Sequence, residues 1–142
     1  MIDYIVQKQF DYYQQSTAAT PEVRINTHEG IIKISGRSVP ENSLAFYAPV
    51  YEILKKMKPF YRQFSVLVEL EYFNTSSAKC LFDLLKIVSN KQKNGFQANV
   101  YWRFEEEDWD MKETGEDYEE LLGLAFHYES IPYVEKHSTL VA

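Results

Sequence analysis

Three consecutive hydroxyl side chains, Thr75 to Ser77, follow Asn74 where a strand pattern gives way to a helical one. The first turn of a helix has unpartnered backbone N–H groups and the positive end of the helix dipole, so it favours an oxygen acceptor. The positions three residues beyond these hydroxyls hold Ala, Lys and Cys, so the reciprocal Glu or Gln of a capping box is absent. Two interpretations remain. One hydroxyl caps the helix, or a phosphate placed on one of them meets N–H donors and Lys79.

Two carboxylates, Glu69 and Glu71, stand two positions apart on one predicted strand and therefore share one face of the sheet. Such a pair could perform acid–base chemistry or hold a divalent cation. The same spacing is typical of a half-solvated sheet face. A small metal-dependent enzyme or ligand-binding module using Glu69 and Glu71 is the alternative function that the sequence leaves open.

The other reactive side chains are scattered. The sequence has no HExxH pair, GxSxG elbow or glycine-rich phosphate loop, and His28, His127 and His137 stand far apart. Cys80 falls on the predicted buried side of a helix, where a thiol is inert, and a single cysteine closes no intrachain disulfide. We predict no catalytic residue, no metal and no cofactor, so we expect a protein that is not an enzyme.

The composition is that of a folded globular protein. The 142 residues are 45% hydrophobic and 15% aromatic, which predicts one domain over residues 1–142 with its own core. No stretch approaches the roughly 18 apolar residues of a membrane span, and the N-terminus does not resemble a signal peptide. We expect a cytoplasmic protein without a membrane partner.

Acidic residues concentrate in one segment. Between Glu105 and Glu120 ten acids face one base, Lys112, which gives the segment a charge of −9 within a net charge of −6. Nucleic-acid binding needs clustered Lys and Arg, so we expect no nucleic-acid partner. We expect a solvated acidic face.

The first half of the chain predicts a hairpin and a helix. Residues 1–19 are interpreted as an edge strand and a linker, and β-branched runs predict strands at Glu22 to Asn26 and Gly30 to Ser35. A helical pattern then follows Pro40 and reaches Met57. Pro49 lies inside it, so we expect a kink or a restart of the helix there.

The second half predicts alternating strands and helices. Phe64 to Phe73 alternates so that Tyr72 should share the core face with Phe64, and a helix follows the hydroxyl run. The remaining elements are a strand at Ala98 to Phe104, a helix running through Tyr118 to Ala125, and a last edge strand at Tyr128 to Val134 that contains Pro132. The resulting order, ββαβαβαβ, predicts an α/β domain with a mixed central sheet and helices packed on it.

Two motifs carry a family resemblance. The run Glu69 to Ser77, together with Pro40-Glu41-Asn42-Ser43, resembles the SiaC family of bacterial regulatory phosphoproteins. Trp102 to Glu120 resembles the C-terminal half of that family, and the likeness extends over roughly Thr20 to Tyr133.

The resemblance implies a fold and a function. It implies a STAS-like fold, related to the anti-sigma-factor antagonists, with Thr75 as the phosphorylated residue. It further implies a dedicated protein kinase of the SiaB type, a PP2C-type phosphatase, and an unphosphorylated form that binds and activates a diguanylate cyclase or another effector. We expect a partner-switching adaptor whose docking residues are Pro40, Glu41, Asn42, Ser43, Asn74, Ser76, Ser77 and Lys79.

Overall fold

The computed structural model describes residues 9–133. The elements in chain order are β1 (Tyr12–Gln14), β2 (Glu22–Asn26), β3 (Ile31–Ser38), α1 (Ser43–Lys56), β4 (Gln63–Phe73), α2 (Thr75–Lys93), β5 (Gln97–Glu105), α3 (Trp109–Leu122) and β6 (Ala125–Ile131). The predicted α/β class with a mixed central sheet is confirmed, and the observed order is βββαβαβαβ.

The sheet has six strands in the order β1-β2-β3-β4-β5-β6. β1 and β2 pair antiparallel, as do β2 and β3, whereas the pairs from β3 to β6 are parallel. The β2–β3 turn closes where Gly30 donates its N–H to the Asn26 carbonyl at 2.9 Å. Gly30 has φ +75°, and a Cβ there would lie 2.1 Å from the Gln63 carbonyl oxygen, so only glycine fits this turn.

The three helices lie on one face of the sheet, because each parallel crossover advances one strand in the same direction. The core fills the space between them. Its largest fully buried side chains are Trp102, Tyr47, Phe64, Ile25, Ile32, Ile34, Leu54, Leu81, Leu84 and Leu85. The opposite sheet face carries ion pairs and a small apolar cluster of Ile31 and Leu67, covered in part by Phe10 and Tyr101.

The side chains of β4 alternate between the two faces of the sheet, but this alternation is reversed near the end of the strand. Phe64 is fully buried, as predicted, but Tyr72 is 49% exposed and Phe73 packs against the core instead. The cause is an irregularity in the β3–β4 pairing, where Gly36 pairs with Leu70 and the next residue of β3 pairs with Tyr72. The extra residue of β4 reverses the alternation, so the prediction that Tyr72 faces the core is wrong.

Helix α1 runs without interruption from Ser43 to Lys56, so the predicted restart at Pro49 does not occur. Proline has no N–H, which leaves the carbonyl of Ala45 without its usual helical donor. Ala45, Ala48 and Pro49 are all exposed, so solvent can reach that carbonyl.

The boundary between the last helix and the last strand lies earlier in the chain than predicted. α3 ends at Leu122, and Gly123 terminates it with φ +67°. Ala125 is the first residue of β6 rather than part of the helix. β6 lies at the edge of the sheet and ends before Pro132, whereas the predicted end at Val134 lies outside the described residues.

Candidate functional site

The cap of α2 is Asn74, not one of the hydroxyl residues. Its backbone is extended (φ −81°, ψ 176°), and its side-chain oxygen accepts a hydrogen bond from the Ser77 N–H at 2.9 Å. The Ser76 hydroxyl also donates to that oxygen, at 3.1 Å. Capping therefore does not require Thr75, and the helix start is satisfied without it.

Behind the cap lies a buried hydroxyl network. Ser77, fully buried, accepts a hydrogen bond from the Ser38 hydroxyl at 2.8 Å, and Ser38 is 2.7 Å from the Tyr47 hydroxyl. The Ser43 hydroxyl joins the same group, 2.9 Å from Ser76 and 3.3 Å from Ser77. This network ties together the end of β3, the first turns of α1 and the first turn of α2.

Thr75 differs from both of its hydroxyl neighbours. Its side chain is exposed, and it makes no hydrogen bond within residues 9–133. Ser77 is buried, and Ser76 is held by two partners. Of the three hydroxyls, Thr75 is the one that an incoming group can reach without breaking an existing interaction.

The N-termini of α1 and α2 meet at this point. Asn42 caps α1 as Asn74 caps α2, accepting from the Ala45 N–H at 3.0 Å, and the Ser43–Ser76 contact joins the two first turns. Neither first turn contains an acid. Two positive helix ends therefore lie side by side with no carboxylate in either first turn, which favours a bound anion.

An open groove lies beside the contact between the two helix starts. Its lining residues are Glu41, Asn42, Ser43, Leu44, Ser76, Lys79, Cys80 and Asp83. Leu44 is 66% exposed at its rim, and the Lys79 ammonium lies 3.5 Å from the Asp83 carboxylate in a solvent-exposed pair. Such a pair is worth little on its own, so Lys79 can turn to another anion at small cost.

The structure brings the two predicted docking segments together, but their residues differ in accessibility. Glu41, Asn42, Ser76 and Lys79 are exposed, and Asn74 is half-buried. Pro40, Ser43 and Ser77 are buried and shape this surface from beneath, and Ser43 also lines the groove. Partner binding by all of these residues stays a prediction.

Sequence reasoning missed two members of the network, Ser38 and Tyr47. Tyr47 occupies an apolar position of the helical pattern, which marked it only as a core residue. Burial raises the pKa of Tyr47 to about 12, although the Ser38 hydrogen bond acts in the opposite direction. Burial also raises the pKa of Tyr51, whose hydroxyl donates to the Cys80 carbonyl at 2.7 Å.

The alternative site at Glu69 and Glu71 is engaged by arginines. Arg103 lies 2.5 Å from Glu69 and 2.9 Å from Glu129, and Arg37 lies 3.5 Å from Glu71. Across the part of the chain that the structure describes, no group of three or more His, Cys, Asp or Glu side chains could hold a metal ion. Because arginine ion pairs already occupy both carboxylates, this arrangement does not favour the alternative.

None of the helices among residues 9–133 is long and apolar enough to cross a membrane. Nor do the histidines within that range form a cluster, because His28 stacks on Phe60 whereas His127 stacks on Tyr101.

The fold and the hydroxyl site together define the class: a two-layer α/β protein with an accessible threonine at the first turn of the helix after a central strand. The chain belongs to the SiaC family, because the family profile of SiaC regulatory phosphoproteins matches residues 14–131.

Individual relatives agree with this assignment. An uncharacterized protein of Pseudomonas aeruginosa (strain UCBPP-PA14) is 24% identical over 117 residues, covering 82% of this chain and 93% of the relative. SiaC of Pseudomonas aeruginosa has the same fold, with a TM-score of 0.78 at 22% identity, over 87% of this chain and 100% of that one. A second match is a chain in the crystal structure of the Pseudomonas aeruginosa diguanylate cyclase SiaD in complex with its activator SiaC. Its TM-score is 0.79 at 23% identity, over 85% of this chain and 100% of that one.

Proposed function

We propose that this protein is a cytoplasmic partner-switching adaptor with no catalysis of its own. A kinase of the SiaB type phosphorylates Thr75, and a PP2C-type phosphatase removes the phosphate. The unphosphorylated protein binds and activates an effector such as a diguanylate cyclase. Support for the effector class comes from the relative of known structure, in which SiaC is the activator of the cyclase SiaD.

The accessibility of Thr75 is the observation that carries the proposal. The residue is exposed, and in the described part of the chain its hydroxyl makes no hydrogen bond. Phosphorylating buried Ser77 would require the network with Ser38 to open, whereas phosphorylating Thr75 disturbs no hydrogen bond. A kinase acting on this turn should therefore choose the threonine.

The surroundings of Thr75 suit a dianion. Within residues 9–133 the backbone N–H groups of Thr75 and Ser76 have no hydrogen-bond acceptor, and two helix dipoles point their positive ends at this turn. Phosphate adds roughly −1.5 to −2 charges and strong acceptor oxygens, which these donors and Lys79 can hold. The modified protein should keep its fold.

Release of the effector follows from desolvation. The groove begins at Ser76, the residue after Thr75, and has apolar surface at Leu44 and carboxylates at Glu41 and Asp83. We expect a partner that covers this groove to cover the phosphate as well. Burying an unpaired ion costs several kcal/mol. Because about 1.4 kcal/mol is tenfold in affinity, we expect phosphorylation to weaken effector binding at least a hundredfold.

The proposal is tested in two steps. The protein is first incubated with the kinase and ATP, and fragmentation mass spectrometry locates the added phosphate in the native chain and in the Thr75→Val and Ser76→Ala variants. We expect modification of the native chain and of Ser76→Ala, but not of Thr75→Val. Phosphate on Ser76 or Ser77 in the native chain would contradict the assignment of Thr75.

The second step titrates the cyclase with the unmodified and the phosphorylated protein, following both complex formation and cyclase activity. The unmodified form should bind and activate. Equal affinity of the two forms would exclude a phosphorylation switch at this surface.

A further inference from the structure

The end of the molecule opposite Thr75 is basic and aromatic. Its exposed side chains, which we call the basic tip, are Lys55, Lys56, Lys58, Phe60, Tyr61, Arg62 and Lys93. The two aromatic rings are adjacent, with centroids 5.0 Å apart, and Phe60 and Tyr61 are 68% and 62% exposed. Large exposed rings in a loop surrounded by cations are not needed for the core.

Contacts among the described residues hold the tip together in space. The Arg62 guanidinium lies 4.3 Å from the centroid of the Phe96 ring, which also lies beneath the Lys91 ammonium. Lys91 in turn donates to the carbonyls of Lys55 and Met57, at 2.9 and 2.8 Å. The loop before β4, the end of α1 and the end of α2 therefore form one surface.

Helix capping explains only part of this charge. Cations near a helix C-terminus are favoured by the dipole, and Lys91 performs that function for α1. Lys58 and Arg62 lie beyond the helix, and their charges are not needed to end it. Among the described residues, the acids at this end of the molecule include Glu52, which lies 3.9 Å from Lys55, and Glu29. Asp11 also lies there, bonded to Thr27 beside the His28–Phe60 stack. The five cations of the basic tip outnumber these acids, so the exposed surface keeps an excess of positive charge.

We infer that the basic tip is a docking surface for an anionic lipid bilayer. Exposed aromatic side chains among lysines match the chemistry of a negatively charged membrane surface, where aromatic rings lie among the headgroups and Lys and Arg meet the phosphates. The sequence alone predicts no membrane partner, because it does not reveal that lysines from two helices and the aromatic loop share one surface.

Two arguments favour a membrane over a second copy of the chain as the partner of the basic tip: the strength of the attraction between its cations and anionic lipid, and the position of Thr75 at the opposite end of the molecule. Near an anionic membrane each cation strengthens binding about fivefold, whereas exposed ion pairs between proteins contribute little. β4 separates the tip from the Thr75 end by 11 residues, which span roughly 35 Å. A molecule bound through its tip keeps Thr75 and the groove accessible on the far side.

The test is sedimentation of the full-length protein with vesicles of phosphatidylcholine, with and without phosphatidylglycerol at about one third of the lipid. We expect binding only to the anionic vesicles, and salt should weaken this binding without abolishing it, because it screens the lysines but not the aromatic rings. Lys56→Gln/Lys58→Gln should weaken binding about twentyfold, whereas Lys86→Gln/Lys112→Gln, with the same charge change away from the tip, should have little effect. Phe60→Ser/Tyr61→Ser should remove the binding that remains at high salt.

Several outcomes would overturn this inference. They are no binding to anionic vesicles, equal losses in the two lysine double variants, or sedimentation at low salt without lipid, which would assign the tip to self-association. All three readouts are independent of Thr75 phosphorylation, so they do not depend on the proposed function.

Discussion

The hydroxyl network predicts that the adjacent residues Thr75, Ser76 and Ser77 respond very differently to replacement by alanine. Ser77 is fully buried, and its oxygen accepts one good hydrogen bond, from Ser38 at 2.8 Å, and has a longer contact with Ser43 at 3.3 Å. Removing it leaves Ser38 with Tyr47 as its remaining side-chain partner. The three replacements differ in burial and in the bonds that they remove.

The magnitudes follow from those bonds. Ser77→Ala should lower the free energy of unfolding by about 1–2 kcal/mol, because a buried network loses an acceptor. Ser76→Ala removes two contacts at an exposed site and should cost about 0.5 kcal/mol. Thr75→Ala should stay within about 0.5 kcal/mol of the native protein, since the residue is exposed and Asn74 provides the cap.

The assay is urea unfolding at constant pH, with thermal melts in parallel. A loss of 1–2 kcal/mol corresponds to a fall in Tm of roughly 3–8 °C for a domain of this size, and the order of stability should be Thr75→Ala, then Ser76→Ala, then Ser77→Ala. If Thr75→Ala is as unstable as Ser77→Ala, the conclusion that the exposed threonine does not contribute to stability is wrong. If Ser77→Ala leaves the free energy of unfolding unchanged, the buried network does not stabilise the fold.

Four further predictions concern a packed glycine, the buried Tyr47, the acidic segment and a charge mimic at Thr75. Gly115→Ala should destabilise by about 1–3 kcal/mol, measured by urea unfolding, because its Cβ would lie 2.8 Å from the buried Trp102 ring. Burial raises the pKa of Tyr47 to about 12, so its hydroxyl ionises more readily in the unfolded chain and the native protein loses stability as the pH rises from 10 to 12. Tyr47→Phe has no hydroxyl to ionise there, so its free energy of unfolding should fall by about 2–3 kcal/mol less over that pH range. Neutralising four exposed acids of Glu105 to Glu120 should change the effector on-rate at low salt, measured by stopped flow, whereas a changed off-rate would place the segment in the interface. Thr75→Glu should melt at or slightly above the native Tm but weaken the effector less than phosphate does, because it brings one charge and fewer acceptors.

Periodicity was sufficient to predict most of the fold. The strand at Glu22–Asn26 agrees at both ends, and β4 and β5 extend only one residue beyond their predicted limits, because alternating apolar residues must face one core. The position of Tyr72 could not be predicted, because the irregularity beside Gly36 depends on how two strands pair and not on the residues of β4 alone. The boundary at Ala125 was missed because an apolar residue continues a helical pattern as well as it begins a strand.

The sequence did not predict how the candidate site is organised. The two predicted docking segments were chosen from their own residues, and the structure places their helix starts in contact through Ser43 and Ser76. Their role in docking stays a prediction. Nothing local indicates that Ser38 and Tyr47 meet behind them, since these residues lie on a strand and on a helix and come together only through packing. The sequence could not decide which hydroxyl is accessible, because accessibility depends on the orientation of α2 against α1 and β3.

Three residues divide the tasks at this turn: Asn74 caps the helix, Ser77 joins the buried network, and Thr75 is left exposed. This division determines how a switch at Thr75 would act. If Thr75 were the cap, modifying it would disturb the first turn of α2, and the signal would be transmitted by a structural change. Asn74 caps the helix and Ser77 anchors it, so both tasks are complete beneath an exposed threonine. Charge can therefore be added to or removed from the surface while the helix and its anchoring network stay in place. Such a module would switch partners because the added charge changes which partner can cover the surface at Thr75. This mechanism requires the first turn of α2 to keep one conformation, and not to alternate between two.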